Sequence, residues 1–182
     1  MSRLAIIILA TLLVTACGPR ELQPDTDFEC SNCERWNTPH DPFRVLGNTW
    51  YVGTDGLSAI LIETTAGPVL IDGGLPQSAA QIEENIREVG FEARDLAAIL
   101  LSHAHFDHAG GIAALQRMSG APVYTSIAGA VVLESGELQP DDPQFLHGVE
   151  NTRFPAVKNV IALMDGETLS IGGVDITPVY TP

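Results

Sequence analysis

Apolar residues along this chain fall into short blocks separated by glycine and proline, and the spacing inside each block predicts a different element. Four runs near 43–46, 49–52, 58–63 and 69–71 are rich in β-branched and aromatic residues. Gly53, Gly56 and Gly67-Pro68 break them, the pattern of strands joined by turns. The period then changes. Ile82, Ile86 and Val89 share one helical face, which predicts a helix from Ser78 to Val89 with Gly90 as its stop. Leu96-Ala-Ala-Ile-Leu-Leu101 is a short continuous apolar run and reads as a buried strand over 97–101. A helix over 112–118 ending near Gly120, a strand over 122–125 and a helix capped by Ser126 and running to about Glu134 follow. Residues 141–155 form a long irregular stretch. The runs 160–164 and 174–180 bracket turns at Asp165-Gly166 and Gly172-Gly173. Strands alternating with helices predict an α/β layered fold.

The candidate chemistry sits directly after the buried strand. Residues 101–111 read Leu-Ser-His-Ala-His-Phe-Asp-His-Ala-Gly-Gly, so His103, His105, Asp107 and His108 fall within six positions. Neutral imidazoles are good ligands for zinc, and a carboxylate adds a harder oxygen donor. His103 and His105 are two apart and point the same way in extended chain. Asp107 shares their parity, but the loop bends there. All four side chains would crowd one tetrahedral ion; two ions roughly 3.5–4 Å apart accommodate them better.

His-Ala-His-Phe-Asp-His-Ala-Gly-Gly resembles the His-x-His-x-Asp-His signature of the metallo-β-lactamase superfamily. The blocks 48–54, 57–63, 69–76 and 164–173 are similar to the third subclass of class B β-lactamases, and the likeness runs from about Trp36 to Pro182. The resemblance implies an αβ/βα sandwich holding two zinc ions, with His103 and His105 on one and Asp107 and His108 on the other. It implies hydrolysis of the β-lactam amide of penicillins, cephalosporins or carbapenems by a zinc-activated hydroxide, with Asp107 as the residue that orients it, and hence antibiotic resistance. Two further histidine ligands lie downstream in the family, one in a Gly-His-Thr motif. The chain is therefore expected to be an N-terminal fragment stopping just before that motif, with the C-terminal part of the sandwich missing and no activity of its own. Asp72, after a buried strand, is read either as a carboxylate supporting the metal loop from behind or as a turn aspartate holding its own backbone. Trp36 and Phe154 fall where the family places the walls of the substrate groove, and core packing is the alternative reading for each. The alternatives are another hydrolase of the same fold, such as a lactonase or thioesterase, or an inactive lipoprotein.

Composition narrows the partners. The chain has 182 residues, a size expected of one domain, and a net charge of −14 with Lys158 as its one lysine. That balance argues against nucleic acid, whose phosphates need basic patches. No protein partner is evident, and a small β-lactam is the expected substrate. Residues 1–16 carry a basic start and an apolar core of signal-peptide length. They end in Leu-Val-Thr-Ala before Cys17, which resembles a bacterial lipobox and implies lipidation of Cys17 and a place in the periplasm, on the outer membrane. Residues 17–35 are expected to be a tether, and 36–182 the metallo-β-lactamase domain. In an exported chain the Cys30-x-x-Cys33 pair is expected to be a local disulfide.

Overall fold

The computed structural model describes residues 21–147 and 152–181. The expected signal peptide and Cys17 lie outside the described residues. After the short helix α1 (Cys33–Trp36), four strands form an antiparallel meander: β1 (Phe43–Leu46), β2 (Thr49–Tyr51), β3 (Ile60–Ile62) and β4 (Val69–Ile71). Three parallel strands extend it: β5 (Ala98–Leu100), β6 (Val123–Ser126) and β7 (Val160–Leu163). The result is one seven-stranded mixed sheet whose spatial order equals its chain order. The change from antiparallel to parallel follows the connections. Short turns join β1 to β4, whereas helices α2 (Ser78–Glu88), α3 (Phe106–Ala109), α4 (Ile112–Ser119) and α5 (Ile127–Ser135) carry the chain back between the parallel strands.

The register lines up one apolar row across the sheet. Leu61 pairs with Leu70, Leu70 with Ile99, and Ile99 with Val123, and all four are completely buried. Strands buried on both faces lose the polar alternation of a surface strand, which is why the 96–101 run is uniformly apolar. Ile82 and Ile86 of α2 and Ile112 and Leu115 of α4 pack into the same core. The Ser126 hydroxyl accepts from the Gly129 amide at 3.0 Å and caps α5, and Gly120 ends α4 in the left-handed region.

The chain departs from the expected elements in three places. Within residues 17–35, expected to be a tether, Leu22, Phe28, Cys30 and Cys33 pack on the core. Phe28 is buried and its ring stacks on Phe106 at 4.2 Å. The Phe28 backbone exchanges two hydrogen bonds with the Gln77 side chain, and Arg117 holds both Asp25 and the Gln23 carbonyl. Cys30 and Cys33 are joined as a disulfide, with Cys33 buried. The second departure is the last hairpin, a separate two-stranded sheet of β8 (Leu169–Ile171) and β9 (Val174–Ile176) around Gly172-Gly173. The strand expected over 174–180 ends at Ile176, two residues before Pro178, which has no amide proton for a ladder. The third lies within the irregular stretch, where α6 (Pro143–Leu146) forms a short helix that Asp142 caps.

Asn85 ties helix to sheet. Its amide nitrogen donates towards the carbonyls of His40, Val52 and Gly53 at 2.9–3.1 Å, and its oxygen accepts from Gln81 at 2.8 Å. One buried side chain therefore satisfies backbone acceptors that the sheet leaves unpaired.

Candidate metal centre

Parallel strands bring their carboxyl ends to one edge, so the loops after β4 and β5 meet there. The β4 loop is Asp72-Gly73-Gly74 and the β5 loop carries the histidine motif. They interlock through the backbone: Gly73 N–H donates to the His108 carbonyl at 2.8 Å and Gly111 N–H to the Gly74 carbonyl at 3.2 Å. Only glycine allows this approach. A Cβ at Gly111 would collide with the Gly73 carbonyl, and one at Gly73 would lie 2.8 Å from the Ile112 side chain.

Asp72 is the pivot of the site. Its backbone is left-handed at φ 64°, a conformation that aspartate tolerates better than most residues. Its buried carboxylate accepts three hydrogen bonds: from Ser102 N–H (2.8 Å), from the Ser102 hydroxyl (2.7 Å) and from His108 Nδ1 (2.9 Å). Every hydrogen bond that this carboxylate accepts among the described residues comes from Ser102 or His108, so it ties the neighbouring loop to the imidazole and does not hold its own turn. Ser102 extends the chain of contacts, with its hydroxyl 3.2 Å from His103 Nδ1.

These partners set the ring protons. A carboxylate only accepts, so His108 carries its proton on Nδ1 and leaves a lone pair on Nε2. The Ser102 hydroxyl gives its proton to Asp72 and can only accept from His103, so His103 also presents Nε2. His105 is held the other way round: Nε2 lies 3.0 Å from Asp142 Oδ2, and Nδ1 lies 3.1 Å from the Gln144 amide nitrogen. Its lone pair is therefore on Nδ1.

The bend expected near Asp107 begins at His105. The His108 and Ala109 amides both donate to the His105 carbonyl, so the chain coils into α3 at that point. The coil folds the four side chains into one patch. The His103 ring lies 4.8 Å from that of His105 and 4.1 Å from that of His108, and Asp107 Oδ2 lies 3.8 Å from His108 Nε2. Asp107 Oδ1 is buried with no hydrogen-bond partner among the described residues. Burial and the neighbouring His108 and His105 rings lower the His103 pKa. Burial also opposes charge on His108, but the bond and charge of Asp72, with Asp107, outweigh it and raise the value. Burial works against the Asp142 carboxylate too, yet His105 and the Gln144 amide outweigh it and hold its pKa below the usual range.

Among the described residues, no three such side chains converge as placed on a metal-binding point. The chemistry of the group nonetheless fits a zinc centre: three imidazoles, each with one ring nitrogen steered by a neighbouring side chain, and a buried carboxylate oxygen that lacks a partner among the described residues. Asp142 and Gln144 complete the patch and were not among the residues singled out from sequence. They are 37 and 39 positions from His105, and nothing local in their own stretch points to it. Trp36 is half-buried and packs against the core. Phe154, expected to line the groove, is only 7% exposed and belongs to the core cluster. It has no broad open face to offer, because residue 154 runs beside Gly136 at the end of α5 and its side chain turns inward.

Residues 52–182 match the model of the metallo-beta-lactamase superfamily, and the chain belongs to that family. It is 47% identical to the solved Rm3 metallo-beta-lactamase, with a TM-score of 0.80 over 85% of this chain and 56% of that one. It is 50% identical to MEM-A1, a subclass B3 metallo-beta-lactamase from a soil metagenome library, with a TM-score of 0.77 over 81% and 55%. An N-acyl homoserine lactonase of a Bacillus species is 36% identical over 148 residues, 67% of this chain and 53% of the lactonase. The chain thus spans little more than half the length of these relatives.

Proposed function

We propose that the protein is a zinc-dependent β-lactamase, exported and held to the outer membrane by a lipid on Cys17. The observation that carries the reading is the Asp72–Ser102–His108 clamp beneath a patch of His103, His105 and Asp107, in a chain 45–50% identical to solved subclass B3 enzymes. His103 through Nε2 and His105 through Nδ1 would hold one zinc, and Asp107 and His108 through Nε2 the other. Bound zinc supplies Lewis acidity and a hydroxide nucleophile near neutral pH. Asp72 keeps the His108 proton away from the ligating nitrogen, and Ser102 does the same for His103. The second Asp107 oxygen, buried without a partner among the described residues, would accept a hydrogen bond from the attacking water or join the ligands.

The 36% identity to a homoserine lactonase supports a second reading, hydrolysis of acyl lactones by the same site. The two separate on one comparison: turnover by the full chain encoded by the gene of a carbapenem, followed by ultraviolet absorbance, and of an acyl homoserine lactone, each with and without a chelator. Chelator-sensitive carbapenem hydrolysis, abolished by His103→Ala or Asp107→Ala in a folded protein, is the expected result. Turnover of the lactone alone would replace the β-lactamase reading.

A further inference from the structure

The histidine loop of this family is met from below by Asp72, but a second carboxylate reaches it from above. Asp142 sits at the start of α6, where Pro143 occupies the first helical position. Its two oxygens do different work. Oδ1 accepts from the Gln144 amide at 2.8 Å and caps the helix, and Oδ2 accepts from His105 Nε2 at 3.0 Å. The cap aims the carboxylate, because a side chain committed to its own helix has few other rotamers. Gln144, on the same turn, lays its side-chain nitrogen 3.1 Å from His105 Nδ1, while its Oε1 is buried without a partner among the described residues. The His105 ring is thus gripped at both nitrogens by one turn of chain.

We infer that Asp142 is a positioning residue that orients His105 towards the metal, and that Gln144 is a displaceable cover on the nitrogen the metal takes. The inference rests on the metal reading above. Asp142 holds the proton on Nε2 and so reserves Nδ1 as the ligating atom. Gln144 satisfies that lone pair, and its amide must leave before a metal can bind there. The two residues therefore act on metal affinity in opposite directions. Asp142 favours the bound state, and Gln144 favours the metal-free state.

The opposed signs make the test. Zinc affinity of the full chain is measured by competition with a chromophoric chelator for wild type, Asp142→Ser, Asp142→Ala and Gln144→Ala. Serine preserves the helix cap but cannot reach His105, so it separates the ring contact from the fold of α6. Both Asp142 variants are expected to bind zinc about 10- to 100-fold more weakly. Gln144→Ala is expected to bind it about 2- to 10-fold more tightly, the worth of one ordinary hydrogen bond. A purely structural role for this turn would weaken binding in all three. In the metal-free protein, proton–nitrogen NMR should show the His105 Nε2–H protected from solvent exchange in wild type and exchanging freely in Asp142→Ser. Unchanged zinc affinity in Asp142→Ser overturns the role of Asp142, as does an Nε2–H that stays protected; weaker binding in Gln144→Ala overturns that of Gln144. Failure of the wild type to bind zinc would sink the metal reading instead, and the ring proton would still judge the Asp142 contact.

Discussion

Replacing Asp72 by asparagine changes one oxygen to a nitrogen, and the structure specifies the consequence. Asparagine accepts a left-handed backbone about as readily as aspartate, so φ 64° adds no confounding strain; alanine there would cost roughly 1–2 kcal/mol. The Ser102 N–H fixes the orientation, since only the amide oxygen can accept from it. The new NH2 must then replace Oδ2 and face the Ser102 hydroxyl and His108 Nδ1. The hydroxyl can turn, accept from the amide and donate to His103 Nδ1. His108 has no such freedom: Nδ1 must give up its proton and Nε2 must take it. His103 and His108 both end with a proton on the nitrogen the metal needs. Loss of such a supporting group costs about 10- to 100-fold in metal affinity, or roughly 1.4–2.8 kcal/mol. Metal-free stability falls less, by about 1–2 kcal/mol, because charge-assisted bonds become neutral ones. Zinc competition, thermal unfolding of the metal-free chain and histidine ring nitrogen shifts read the three effects separately. Zinc affinity within twofold of wild type, with His108 still protonated on Nδ1, would refute the reasoning.

Two further outcomes follow from the same contacts. His103 titrates below the ordinary histidine value of 6.5 and His108 above it. The folded chain therefore binds fewer protons than the unfolded one just below that value and more just above it. The His103 contribution is lost as pH falls through its lowered value, and the His108 contribution is lost as pH rises through its raised value. These two groups give metal-free stability a maximum near pH 6.5, and a denaturant series showing steady gain from pH 5 to 8 would contradict it. Asn85→Leu leaves the His40, Val52 and Gly53 carbonyls without their donor. It should cost about 3–4 kcal/mol in urea unfolding while leaving zinc affinity of the folded protein unchanged, and a loss under 1 kcal/mol would show that water replaces the amide.

Much of this molecule is written locally in its sequence. The Ile82–Ile86 spacing marks α2, the Ser126 cap and Gly120 mark helix ends, and the apolar run before Ser102 marks a strand buried on both faces. These signals are legible because each depends on neighbours within a turn or a strand. The cluster at 103–108 is legible for the same reason, since its ligand-type side chains are adjacent in sequence. What sequence could not supply is the set of partners that give those side chains their protonation and direction. Asp72 and Asp142 lie 36 residues before His108 and 37 after His105. Asp72 could be read two ways, and Asp142 carried no signal at all. Phe154 could be read as groove wall or as core and is core, and within the expected tether Phe28 is buried and stacks on Phe106. In each case the decision belongs to contacts distant in sequence. A side chain's chemistry is chosen by its residue type, but its tautomer, burial and direction are chosen by whatever the parallel sheet brings to its carboxyl edge.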